Sequence, residues 1–327
     1  MRGLICERWS ELDDLRVGEM QTPTPGAGEV LIRVRLTAVN YADSIMVRGQ
    51  YQTKPPFPFS PGLETAGEVV ACGPEVTSLQ PGDRVMAILA FGGLAEYAVA
   101  KAAETYRIPQ GMSWSDAAAF PIAYLSSHVA IRWQGHLEVG ETMLVLGAAG
   151  GVGLTAVEIG KAMGARVIAA ASTPEKLEAA RSRGADEVIN YSEVELKKSV
   201  DDLTDGNGVN VVFDPVGGSL FDQALSSLGW GGRILLIGFV GGVPKIPANR
   251  LLVKHRAAMG SSLRYYRWYE PDKLQRSVDE LLTWYAQGKL RPMVTEHFSL
   301  EDSALAIRSL TERRAIGRVL VDVGETL

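Results

Sequence analysis

The chain has 327 residues, 46% hydrophobic and 22% charged, a balance that suits about two globular domains and excludes a collagen, a coiled coil or a disordered tail. Lysine and arginine number 33 against 38 aspartate and glutamate, a net charge of −5, which argues against a nucleic-acid partner because phosphate binding wants clustered positive charge. Two cysteines, Cys6 and Cys72, exclude a disulfide scaffold and fit a reducing compartment.

Residues 1–8 place Arg2, Glu7 and Arg8 where a secretory signal needs an apolar core. The longest apolar stretch, 142–157, is studded with glycine and too short for a membrane span. The expectation is a cytoplasmic protein with no membrane partner. In chain order, residues 29–40 alternate apolar and polar side chains as a half-buried strand does. Further strand-like runs follow at 65–72, 83–89 and 95–100, split by Gly73-Pro74 and Pro81-Gly82 turns. Ser113 or Ser115 suits the cap of a helix over 116–119, and a longer helical run covers 124–133. The rhythm then becomes strand 142–146, helix 152–163, strand 166–171, helix 175–183, strand 187–190, strand 209–214, helix 220–228 and strand 233–237. Alternation of this kind predicts βαβ units and a parallel sheet. Beyond about 260 the pattern is mixed and ends in a strand over 318–323.

The strongest chemical signal is Gly147-Ala148-Ala149-Gly150-Gly151-Val152-Gly153. It follows an apolar strand and opens an apolar helix, the context a dinucleotide turn requires. Glycine lets the backbone approach a pyrophosphate, whose charge then rests on the helix N-terminus. The turn is not a Walker loop, because no Gly-Lys-Ser/Thr follows. The second strand of an NAD site usually ends in an acid for the ribose hydroxyls. Here 167–171 runs into Ser172, Thr173, Pro174, Glu175 and Lys176, with no acid at its tip. Two hydroxyls and a lysine suit a 2′-phosphate, so NADPH is the expected cofactor; the plainer reading of Lys176 is a solvated helix residue.

With these residues the chain resembles the zinc-independent quinone oxidoreductase (zeta-crystallin-like) branch of the medium-chain dehydrogenase/reductase superfamily. The resemblance runs through Val39-Asn40-Tyr41-Ala42-Asp43, Arg48-Gly49-Gln50-Tyr51, Pro61-Gly62-Leu63-Glu64-Thr65-Ala66-Gly67, Gly82-Asp83-Arg84-Val85, Gly93-Leu94-Ala95-Glu96-Tyr97, the glycine turn, Gly184-Ala185-Asp186-Glu187-Val188-Ile189-Asn190-Tyr191 and Asp214-Pro215-Val216-Gly217-Gly218. It implies a GroES-like β-rich catalytic domain of residues 1–121 and 256–327 and a Rossmann domain, a doubly wound parallel sheet, of residues 122–255. It implies a homodimer as well.

Zinc enzymes of the superfamily carry a Cys near the position of Asn40-Tyr41 and a His just before the Glu matching Glu64. This chain has Asn40-Tyr41 and Leu63 there. Two cysteines cannot form a four-Cys structural site, and His128, His136, His255 and His297 show no ligand spacing; no metal is expected. Hydride delivery then suits an acceptor that is already electrophilic, a quinone or a conjugated enone. The resemblance implies that Asn40, Asp43 and Tyr51 face the nicotinamide, Asn40 as a hydrogen-bond donor to the acceptor oxygen and Tyr51 as a second donor or a proton relay. The plainer readings are a strand-end turn for Asn40, a helix cap for Asp43 and packing for Tyr51.

To the cofactor contacts read from the glycine turn and second strand, Ala149, Gly150, Gly151, Val152, Ser172, Thr173 and Lys176, the resemblance adds Ser126, Tyr191, Ile237, Phe239, Val240 and Arg313. Arg314 and Arg318 flank the last of these, as in a solvated arginine-rich face. Arg264, Tyr265, Tyr266, Arg267, Trp268 and Tyr269 form a basic aromatic cluster that suits an acceptor wall, a grip on an acidic tail such as a coenzyme A phosphate, or a surface packing segment. Phe59 stands where some relatives have Tyr. The expected activity is an NADPH-dependent quinone reductase. The alternatives are an NADPH-dependent C=C reductase of enones, enals or acrylyl-type thioesters, and a non-catalytic NADPH-binding protein.

Overall fold

The computed structural model describes residues 1–324. They divide into two compact units, Met1–Ile122 with the chain from Pro292 onward, and Ala123–Arg291. The first unit is built on Glu29–Ala38, whose Val30, Ile32 and Val34 are fully buried while Arg33 turns outward to Glu68. Its seven-stranded sheet runs in the order Val294–Ser299, Arg318–Asp322, Glu29–Ala38, Glu64–Cys72, Arg84–Ile88, Thr105–Arg107, and Tyr97–Lys101 also pairs with the long strand. This is the expected GroES-like β unit.

Register here places the chemistry. Leu320 lies opposite Ala38 in antiparallel pairing, so Arg318, two residues earlier, comes beside Asn40, two residues past Ala38. Leu36 lies opposite Ala66, which sets Glu64 beside Ala38. Three segments far apart in sequence therefore meet where the long strand ends.

The second unit is the expected Rossmann sheet. Six parallel strands run in the order Glu187–Asn190, Arg166–Ala171, Thr142–Leu146, Val209–Asp214, Leu228–Leu236, Ala257–Gly260. Met143, Leu144, Val145 and Leu146 are fully buried, as a central strand covered on both faces requires. The chain steps outward one way from Thr142–Leu146, then returns to Val209–Asp214 and steps the other way. Sheets of this kind bind ligands beyond the strands' carboxyl ends at such a reversal.

Some expectations need correction. The run over 124–133 is an α-helix, Pro121–His128, that passes into π-helical turns over Val129–Gln134. The last parallel strand is Ala257–Gly260, and the helix Pro271–Ala286 joins the same unit: Trp133 Nε1 donates to Ser277 Oγ at 2.8 Å, and His128 Nε2 lies 3.0 Å from Glu280. Residues 256–291 therefore pack with the parallel sheet, and the return to the β unit comes at Pro292, later than the 256 expected. The helix Tyr41–Val47 had one sign in the sequence, the helix-cap reading of Asp43.

Candidate active site

The glycine turn is in the parallel-sheet unit. Thr142–Leu146 ends at Gly147, whose φ of 56° lies in the left-handed region. The chain turns through Ala148, Ala149 and Gly150 into the helix Gly151–Ala162, which no side chain caps. Its first N–H groups and its dipole are therefore available to an anion. Gly153 lets this helix sit on the turn: a Cβ there would lie 2.2 Å from Gly147 O. At Gly150 a Cβ would meet nothing closer than Gly147 O at 3.5 Å. The protein leaves that volume open, and the residues fit a diphosphate.

Ser172, Thr173, Lys176 and Tyr191 gather beside this turn's neighbouring strand. Thr173 caps the helix Pro174–Ser182, its Oγ1 accepting from Lys176 N at 3.4 Å. Tyr191 N donates to Ala171 O, which brings its half-buried ring to the same strand end. The nearby carboxylate, Glu175, is exposed on the first turn of that helix. Two hydroxyls before the helix and an ammonium in its first turn thus lie within five residues.

Ile237, Phe239 and Val240 follow Leu228–Leu236 in a loop held by Ile237 N to Asp214 O and Gly241 N to Val216 O. Asp214 organises the facing turn, its Oδ1 accepting from Val216 N and Gly217 N, both at 2.8 Å. In the sequence Asp214 stands out only as part of the Asp214-Pro215-Val216-Gly217-Gly218 motif. Ser126 is half-buried on Pro121–His128, and its neighbour Ser127 donates to Val152 O at 3.0 Å in the first turn of the glycine helix. Arg313 belongs to the other compact unit. It is exposed in the β unit, with φ 58°, where its N–H closes the end of Ser303–Thr311.

The β unit holds a buried ionic cluster. Asn40 Nδ2 donates to Glu64 Oε1 at 2.9 Å and its Oδ1 accepts from Arg318 Nη1 at 3.1 Å. Arg318 Nη2 also donates to Glu64 Oε1, and the other Glu64 oxygen accepts from Ile122 N at 2.7 Å. Asp43 accepts from Asn40 N at 2.7 Å and from Gly62 N at 3.1 Å. Asp43 and Glu64 are fully buried. Burial pushes the Asp43 carboxyl up to about 7 against its backbone donors, and raises Glu64 despite the arginine beside it. Asn40 thus spends its amide inside the protein as the N-cap residue of Tyr41–Val47, and Asp43, third in that helix, accepts from the Asn40 backbone N–H. Tyr51 is half-buried against the same core.

Arg318, expected on a solvated face, is the buried cation of this cluster. Only the pairing register shows it. Phe59 is core, packed on Trp9, Phe57 and Phe91. The basic aromatic cluster is the helix Leu263–Tyr269, with Tyr266 buried, Trp268 and Tyr269 exposed, and Arg264 stacked 4.0 Å over Trp268. Among the described residues no group of three His, Cys, Asp or Glu is arranged to hold a metal, and no helix is long and apolar enough to cross a membrane.

Comparison with known proteins bears on the whole chain. Residues 26–110 match the alcohol dehydrogenase GroES-like domain and residues 151–282 the zinc-binding dehydrogenase family. Quinone oxidoreductase-like protein 2 of Rattus norvegicus is 36% identical over 98% of this chain and 92% of its own length. The quinone oxidoreductase of Thermus thermophilus, solved with and without NADPH, is 31% identical with a TM-score of 0.87 over 99% of this chain and 100% of its own. That of Escherichia coli, solved with NADPH, is 27% identical with a TM-score of 0.92 over 98% and 100%.

Proposed function

Because the chain belongs to the quinone oxidoreductase family of the medium-chain dehydrogenase/reductase superfamily, we propose that it is an NADPH-dependent oxidoreductase whose acceptor is a quinone. The observation that carries the reading is the open glycine turn beside Ser172, Thr173 and, in the helix they lead into, Lys176, with no carboxylate at the strand tip. NADPH supplies a hydride, and a quinone accepts it without a Lewis acid because its ring is already electron-poor. The first-turn N–H groups of Gly151–Ala162 hold the diphosphate. Lys176, Ser172 and Thr173 receive the 2′-phosphate, and Tyr191 lines the adenosine side. Ser126 donates to the ribose–diphosphate region, while Ile237, Phe239 and Val240 back the nicotinamide.

Tyr51 stabilises the charge that develops on the acceptor oxygen and delivers a proton there. Asn40 and Asp43 position the segment that carries Tyr51, since their polar atoms are held by Glu64, Arg318 and Gly62. A second copy of the chain covers the edge strand Ala257–Gly260 and the helix Ala248–Val253, where Leu252 and Val253 are 83% and 68% exposed and no residue is buried. Exposed aliphatics beside an open edge are what an interface between copies would bury.

The test is kcat/KM with NADPH for 1,4-benzoquinone and methyl vinyl ketone measured side by side. A large quinone preference is expected. Preference for the enone replaces the reading with C=C reduction, and tight NADPH binding with neither turned over replaces it with a non-catalytic role.

A further inference from the structure

Glu158 is a buried carboxylate that the mechanism above leaves unused. It sits two turns into Gly151–Ala162 and is almost wholly inaccessible. Oε2 accepts from Tyr124 Oη at 2.5 Å, and Oε1 accepts from Arg291 N at 3.1 Å. Arg183 Nε lies 3.8 Å from Oε1. The groups facing it are thus a phenol from Pro121–His128, a backbone donor at the last residue of this unit, and the guanidinium charges of Arg183 and Arg291. Burial outweighs them and pushes the carboxyl up to about 7. A carboxylate is costly to keep dry, so its placement needs a reason beyond packing.

The reason lies along the helix. Val152, Thr155 and Glu158 recur every third residue and so share one face. Tyr124 and Ser127 have the same spacing on the facing helix. Ser127 Oγ touches Val152 O and lies 2.8 Å from Thr155 Oγ1, which also donates to Ala123 O at 3.2 Å. A polar ladder therefore rivets Pro121–His128 to the glycine helix, and its far end is Glu158. Ser126 is the next residue to Ser127.

We infer that Glu158 is a positioning residue for cofactor binding: through Tyr124 and the Ser127–Thr155 pair it holds Ser126 beside the first turn of the glycine helix. The inference rests on the NADPH reading above. The conservative change is informative, because a glutamine can accept from Arg291 N through its carbonyl and donate its amide to the Tyr124 oxygen, which is donor and acceptor alike. Alanine can do neither.

The experiment is direct titration of the purified protein with NADPH by nicotinamide fluorescence, with no acceptor present, followed by steady-state kinetics. Glu158→Ala should weaken NADPH binding by about tenfold, the worth of a hydrogen bond at most, while kcat at saturating NADPH stays within twofold of wild type. Glu158→Gln should bind NADPH within twofold of wild type. Thr155→Val, which removes the ladder's middle rung without touching Glu158, should reproduce the alanine effect and guards against Glu158→Ala failing to fold. Unchanged NADPH affinity in Thr155→Val and in folded Glu158→Ala overturns the inference and leaves the cofactor reading standing, as does a loss confined to kcat. A wild-type protein that does not bind NADPH overturns both.

Discussion

Arg318 shows how one side chain's meaning depends on its partners. It is buried against Glu64 and Asn40, so its removal strands a carboxylate with no counter-charge. Arg318→Met should cost roughly 3–5 kcal/mol of stability, as breaking a buried pair does; urea unfolding measures it, and a loss under about 1 kcal/mol would show that the cluster is not a stabilising one. Asp43 and Glu158 carry a pH signature. Both carboxyls are raised to about 7 in the folded protein, chiefly by burial, so the folded state holds protons that the unfolded chain releases at ordinary carboxyl pH. Their contribution is fully present below about pH 4 and is lost as pH rises through 7. Stability should therefore fall between about pH 5.5 and 8.5, and Glu158→Gln should remove roughly 2 kcal/mol of that fall. Unfolding curves at the two pH values check this; an equal fall in wild type and variant contradicts the shift.

At the scale of the element, the strand, glycine turn and helix are contiguous in the chain and so were readable from residues 142–163. Their glycines do separate jobs. Gly153 meets the protein itself, and Gly150 faces open space. Gly153→Ala should lower Tm and abolish NADPH binding together, whereas Gly150→Ala should keep Tm within a degree or two yet weaken NADPH at least tenfold by filling the phosphate volume. Thermal melts beside fluorescence titrations separate the two; a Gly150→Ala protein that binds NADPH normally would place the diphosphate elsewhere. The helix Tyr41–Val47 was legible only through the cap reading of Asp43. It is seven residues long, with Asp43 and Ser44 buried, so it shows no apolar stripe of helical period.

For the whole molecule, the C-terminal strand matters most, because Arg318–Asp322 crosses back to Glu29–Ala38 and completes the ionic cluster. The boundary at Pro292 follows from packing, since the helix Pro271–Ala286 buries Leu274, Val278 and Leu281 within the parallel-sheet unit. Assembly is testable at the exposed helix Ala248–Val253. Leu252→Asp with Val253→Asp should convert a dimer to a monomer by light scattering at unchanged Tm of the fold, because neither side chain is packed within its own chain. A wild type that is already monomeric removes the proposed interface.

What the chain determined by itself is local: the glycine turn, the strand-and-helix rhythm around it, and the missing acid at the second strand's tip each lie within a few tens of residues, where backbone geometry and side-chain period are written directly in the order of amino acids. What tertiary structure alone decided is the company that charged side chains keep. Arg318 and Glu64 are 254 residues apart, and the surroundings that turn an arginine in a basic run into a buried counter-ion exist only once three strands pair in register, since each strand's pairing decides which residue stands opposite which.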